Sequence, residues 1–174
     1  MMAEGKTNRK ENKMKYIRMH QVEAEPMTHG EFMKEMGKTD QMMSEQDAKA
    51  EGYLVVYPDG YKSWCPKAQF EAAGRPCDGM TFGMAIEAMK RGKKVARAGW
   101  NGKGMWLSVP LTNGPAEIPY YNVWGKQNGE YAHQNGGTVK VMPYVTMKAA
   151  DGSIVMGWLA SQTDMLAEDW LIVE

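Results

Sequence analysis

Met80-Thr81-Phe82-Gly83-Met84-Ala85-Ile86-Glu87-Ala88-Met89-Lys90-Arg91-Gly92 runs straight into Lys93-Lys94-Val95-Ala96-Arg97-Ala98, and the change of pattern between the two halves decides the fold class. Phe82, Ala85, Ile86 and Met89 recur at i, i+3, i+4 and i+7, the spacing of one helical face. Thr81 stands where a hydroxyl caps the first turn, and Gly92 stands at the C-terminal end of the helix. Lys94 to Ala98 then reads as a strand. A helix followed by strands describes an α+β domain, a small antiparallel sheet with short helices.

Further strands are expected at Met105 to Val109, Met142 to Ala149, Ile154 to Leu159 and Trp170 to Val173, with Asp151-Gly152 turning a hairpin. Between Ser161 and Asp169 the pattern suits a short helix capped by Ser161 or Thr163. The connection from Pro110 to Lys140 is long, rich in asparagine-glycine pairs, and carries Tyr120, Tyr121, Trp124, Tyr131 and His133. Loops of that length inside compact domains are functional or disordered, and the aromatic content argues against disorder. It is expected to pack on a neighbouring surface, such as that of another subunit.

Upstream, Gly74 to Gly79, with Pro76 inside it, is the best domain boundary, so the domain is taken as residues 79–174. Residues 15–75 form a small α+β module and residues 1–14 a disordered lead-in of mixed polar residues. Within the module Tyr16 to Glu25 alternates as a strand that Pro26 ends, and Thr28 and Glu31 have capping-box spacing ahead of a helix through Met36. Tyr53 to Tyr57 and Tyr61 to Trp64 flank Pro58-Asp59-Gly60 as a hairpin, and Pro66 suits the first turn of a helix that Gly74 ends.

Composition excludes more than it assigns. With 21 basic and 21 acidic side chains in 174 residues, no global basic excess points to duplex nucleic acid or an anionic membrane. No apolar run approaches the ~20 residues of a membrane span, and Met1 to Lys15 lacks the apolar core of a signal peptide, so a cytoplasmic protein is expected. Cys65 and Cys77 lack Cys-x-x-Cys spacing, and His20, His29 and His133 are scattered, which speaks against a zinc site; a reducing cytoplasm speaks against a disulfide. No cofactor is expected. The 17 dispersed methionines read as core filler.

Two segments hold the residues suited to a small polar aromatic ligand. Arg97-Ala98-Gly99-Trp100-Asn101-Gly102-Lys103-Gly104-Met105-Trp106 places an indole and an amide among glycines that expose the backbone. The indole face can stack on a base and the amide offers both donor and acceptor, although an aromatic in a glycine-rich turn is also a common packing anchor. Arg97 can reach a phosphate, while Lys90, Arg91 and Lys93 fit a solvated helix end that offsets the dipole. Leu159-Ala160-Ser161-Gln162-Thr163-Asp164-Met165-Leu166-Ala167-Glu168-Asp169-Trp170 bunches hydroxyl, amide and carboxylate groups at a helix start. Ser161, Thr163 and Asp164 serve equally as caps or as ligand contacts. Glu168 and Asp169 are adjacent and point to different sides, so they make a poor acid/base pair. No nucleophile elbow, Walker loop or His-Glu-x-x-His motif is present.

These elements, Met80-Thr81-Phe82-Gly83, Gly99-Trp100-Asn101-Gly102-Lys103-Gly104-Met105 and Ser161-Gln162-Thr163-Asp164 through Leu166-Ala167-Glu168-Asp169-Trp170, resemble the phage Thoeris anti-defence 2 family over about residues 79–174. Relatives commonly carry an acidic residue where this chain has Met84. The resemblance implies a homotetramer that binds and sequesters cyclic ADP-ribose-type immune signals, or cyclic oligonucleotides of the CBASS type, without cleaving them, in the cytoplasm of the infected bacterium. It implies a ligand-binding set of Phe82, Arg97, Trp100, Asn101, Lys103, Met105, Ser161, Gln162 and Asp164, and no catalytic residue. The competing classes are an enzyme that destroys such a signal, using Glu168, Asp169 or His133, and a protein-interaction module built on the aromatic connection.

Overall fold

The structure is a computed structural model that describes residues 19–38, 43–100 and 104–174. The lead-in 1–14 and the start of the strand expected from Tyr16 lie outside the described residues, as do Asn101, Gly102 and Lys103. Strands and helices follow in the order β1 Glu23–Thr28, α1 His29–Glu35, α2 Glu45–Ala48, β2 Glu51–Val56, β3 Lys62–Pro66 and α3 Lys67–Ala73. The second half continues with α4 Phe82–Lys90, β4 Lys94–Arg97, β5 Trp106–Ser108, β6 Ala116–Pro119, α5 Lys126–Gln134, β7 Thr138–Val141, β8 Thr146–Lys148, β9 Ile154–Met156, α6 Gln162–Met165 and β10 Trp170–Val173. The class is α+β, with every strand pairing antiparallel.

The first sheet has the order β1-β2-β3. β1 runs through Pro26 instead of ending there, with Pro26 opposite Tyr53. The reason is its place at the sheet edge, where a missing N–H removes no ladder bond. Thr28 then closes the expected capping box: its hydroxyl accepts from the Glu31 amide while the Glu31 carboxylate accepts from the Thr28 amide at 2.9 Å. Trp64 locks this corner, donating from Nε1 to the Met27 carbonyl at 3.0 Å and stacking on His29 with centroids 4.5 Å apart. Gly52 allows it, since a Cβ there would stand 2.5 Å from the Trp64 ring. Among the described residues of this small unit Phe32, Leu54 and Val55 are the buried hydrophobic side chains, and α2 is a single turn whose cap, Ser44, went unread in the sequence.

The second sheet has the order β10-β4-β5-β8-β9 and carries α4. Met80, Ala85, Ala88, Met89, Val95, Leu107 and Trp170 form its buried core, with Val95 directly opposite Leu107. The helical face read from the sequence is the one that turns inward: Ala85 and Met89 are fully buried, with Phe82 and Ile86 packed against the core from its rim. Thr81 accepts from the Met84 amide at 3.4 Å, but Met84 cannot return the bond as an acidic residue would, so the cap is one-sided. Gly92, at φ +79°, lets the chain leave α4 directly into β4. The C-terminal strand pairs Trp170 with Arg97 and Val173 with Lys94, which draws the last residues beside the first strand of the sheet. The other strands are shorter than their sequence patterns; near β8 the Val145 carbonyl accepts from both Gly157 and Trp158, a local irregularity where β9 leaves the sheet.

The connection from Pro110 to Lys140 corrects the expectation of an irregular loop. It holds β6 paired with β7, a 3-10 turn at Tyr120–Asn122 and the two-and-a-half-turn helix α5. Ala132 is its buried centre, and Tyr120 packs edge-on against His133 and Tyr121. The strand pairing is non-local, Ala116 opposite Val141, so no short-range turn signal announced it.

Candidate functional site

The region where β4 ends, β10 begins and α6 crosses is organised by Arg97. Its Nε donates to Asp169 Oδ1 at 2.8 Å, Nη2 to Asp169 Oδ2 at 3.4 Å and Nη1 to Asp164 Oδ1 at 3.0 Å. Asp169 Oδ2 also accepts from the Gly99 amide at 3.2 Å, which fixes the entry to the glycine-rich turn. Asp164 Oδ2 accepts from the Ser161 amide at 3.1 Å and its hydroxyl at 2.6 Å, and the hydroxyl accepts in turn from the Asp164 amide, a complete capping box on α6. Asp164 therefore does two jobs, capping its own helix with one oxygen and holding Arg97 with the other.

The titration behaviour follows from this geometry. The Arg97 guanidinium holds the Asp169 carboxyl below the ordinary carboxylate range, against an opposing push from partial burial and with help from the Gly99 amide. At Asp164 burial pushes the value up most, but the Ser161 and Arg97 hydrogen bonds together outweigh it and the net direction is down. Arg97 itself is raised, chiefly by the hydrogen bond to Asp169. All three groups are charged at neutral pH and satisfied by one another.

Beside this frame lies an aromatic cluster. Trp170 is fully buried and donates from Nε1 to the Asp164 carbonyl at 3.0 Å. Trp100 meets it edge to face at 5.5 Å and meets Trp158 the same way at 6.2 Å, while Phe82 lies 5.3 Å from Trp170 and 6.4 Å from Trp158. Trp100, Trp158 and Phe82 are half-buried, so the cluster is anchored at one side and open at the other. Phe82, Arg97, Trp100, Ser161 and Asp164 are thus brought together from residues far apart in sequence. Gln162 is the exposed first residue of α6, and Met105 is half-buried just ahead of β5. Asn101 and Lys103 fall outside the described residues.

Asp169, Trp158 and Trp170 were not singled out for this site from sequence. Trp158 and Trp170 read as strand residues, and Asp169 was weighed only as half of an acid/base pair with Glu168. Those two neighbours do face different partners: Glu168 receives both terminal nitrogens of Arg75, at 3.0 and 3.1 Å, while Asp169 holds Arg97. The basic run likewise disperses. Lys90 pairs with Glu87, Lys94 donates to the Glu174 backbone carbonyl, and Arg91 donates to the Met19 carbonyl. Among the described residues no group of three or more His, Cys, Asp or Glu is placed to hold a metal, and no helix is long and apolar enough to cross a membrane.

Fold and site define a small α+β domain of antiparallel strands, sealed by its own C-terminal strand, that joins an Arg-Asp frame, one guanidinium paired with two carboxylates, to a partly open aromatic cluster. The sequence profile of the Thoeris anti-defense 2-like domain matches residues 80–173, and the chain belongs to that phage anti-defence family. It is similar to Thoeris anti-defense 2 of Bacillus phage SP01, with 40% identity over 95 residues that cover 54% of this chain and 94% of that protein. The matched span holds the whole of the Arg97 frame and the aromatic cluster.

Proposed function

We propose that the protein acts in anti-defence as a sponge. Residues 79–174, as a homotetramer in the cytoplasm of the infected host, bind a cyclic ADP-ribose-type signal and hold it intact, and cyclic oligonucleotides are a second ligand class. The observation that carries this reading is Trp100, half-buried and held edge-on by Trp158 and Trp170, beside a frame in which Arg97 is already paired with Asp164 and Asp169. An indole so anchored offers a stacking face worth ~1–3 kcal/mol per base. Carboxylates kept below their ordinary range, Asp169 chiefly by Arg97 and Asp164, against the push of burial, by Ser161 and Arg97, are poorly suited to carry protons near neutrality, so both favour positioning over acid/base work. Arg97 then serves by holding Asp169, which fixes the Gly99 amide next to Trp100. Leu159 and Leu166, 88% and 81% exposed on either side of α6, are the kind of apolar surface that a second copy covers.

Incubating excess protein with a cyclic ADP-ribose isomer, denaturing it and recovering the small molecule for mass spectrometry tests the reading. Intact ligand is expected. Altered ligand assigns an enzyme instead, and no bound ligand assigns an interaction module. Light scattering supplies the assembly: a monomer mass at micromolar concentration would sink the tetramer and any recess shared between subunits.

A further inference from the structure

A groove of about 660 Å³ lies where the start of β1, the turn between β2 and β3, and the segment after α4 approach one another. His20, Glu23, Tyr57, Gly60, Arg91 and Lys93 are among the residues that line it, and none of the Arg97 and Trp100 group does. Its volume falls within the ~300–1,000 Å³ of small-molecule sites. A cation near the C-terminal end of α4 is accounted for by the helix dipole, and Lys90 with its Glu87 partner is a solvated example. Arg91 and Lys93 differ. Arg91 is tethered through Nη2 to the Met19 carbonyl at 2.7 Å, which holds the guanidinium at the groove wall. Among the described residues neither Arg91 nor Lys93 has a carboxylate partner, and Glu23 is the single acidic residue of the lining. Tyr57, set against Tyr61 with centroids 5.8 Å apart, adds an aromatic ring to the same lining.

We propose that this groove is a second binding site, for a small molecule that carries phosphate and a flat ring. The arginine fork and the lysine ammonium take the phosphate oxygens, and the Tyr57 ring takes the flat part of the ligand. Its walls come both from the three-stranded N-terminal unit and from the segment after α4, so an occupant ties the two together. That gives residues 19–73 a ligand-linked task, and it stands independently of signal sequestration by the Trp100 region.

Calorimetry on the full chain, with ADP and inorganic pyrophosphate as separate probes, tests it. Arg91→Ala with Lys93→Ala removes two exposed side chains and leaves the fold intact; it is expected to weaken both probes by roughly tenfold per lost cation. Tyr57→Leu is expected to weaken ADP and spare pyrophosphate. ADP affinity untouched by the double substitution, or no binding of either probe at millimolar concentration, overturns the site. ADP binding lost in Trp100→Ala and kept in the double variant overturns it too, and moves the nucleotide to the other region. Equal loss of both probes in a folded Tyr57→Leu protein overturns the role of the ring.

Discussion

Replacing Arg97 by Met keeps most of the aliphatic stem and removes the guanidinium. The side chains of Arg97, Asp164 and Asp169 are 17%, 16% and 36% exposed, which sets the trio between two limits. A fully buried pair broken from one side costs about 3–5 kcal/mol, whereas exposed pairs contribute about 0–1 kcal/mol. Asp164 keeps its two bonds from Ser161 after the substitution, and Asp169 keeps the Gly99 amide and enough exposure to hydrate. The expected loss is therefore about 2 kcal/mol at pH 7, which for a urea dependence of ~2 kcal/mol per molar moves the midpoint by roughly 1 M. Parent and variant must be unfolded at the same protein concentration, because assembly contributes to apparent stability.

The pH dependence separates charge from packing. Asp164 and Asp169 have lowered values in the folded protein, so their contribution is fully present above the unfolded carboxylate value of about 3.9 and is lost as pH falls through the lower folded values. Arg97 supplies the largest downward influence on Asp169, so its removal raises that carboxyl towards its unfolded value. The stability gap between parent and variant is then widest near neutrality and closes as pH falls below about 4. A gap of the same size at pH 3 and pH 7 would refute the ionic account and leave Arg97 as packing alone.

Trp100→Ala is expected to weaken capture of a cyclic ADP-ribose isomer about five- to 150-fold by calorimetry with the fold retained, whereas Trp170→Ala, emptying a fully buried site, costs about 3–5 kcal/mol of stability. If Trp100→Ala instead unfolds the protein as Trp170→Ala does, Trp100 is a core anchor. Gly52→Ala drives a methyl against the Trp64 ring and destabilises the three-stranded unit by about 1–3 kcal/mol in a thermal melt, while signal capture stays at its parent value. A chain starting at Gly79 loses the Arg75 contact to Glu168 and the Ile172 amide bond to the Cys77 carbonyl, yet it is expected to fold and to bind the cyclic ADP-ribose isomer with similar affinity. A folded, tetrameric truncation that fails to bind would make the N-terminal residues part of the capture site.

What could be read from the sequence alone is what side chains settle within one turn or one period. Thr28 with Glu31 and Ser161 with Asp164 are bonds across three residues, so the first cap was legible outright and the second as one of two candidates, Ser161 or Thr163; the inward face of α4, the β2 to β3 hairpin and the limits of β10 were legible too. The family elements were legible for the same reason, since they are short continuous strings. Tertiary structure alone decided that Pro26 is tolerated, because being an edge strand is a property of the sheet and not of the residue. It alone paired Ala116 with Val141 and turned a presumed loop into a small folded unit. The sequence left Asp164 open between helix start and ligand contact, and only the antiparallel pairing of β10 with β4 brings Asp169 and Trp170 to Arg97 and Trp100. Contacts between groups some 70 residues apart carry no local signal, because the energy that fixes them comes from burying Trp170 and neutralising Arg97 together, after the sheet has closed.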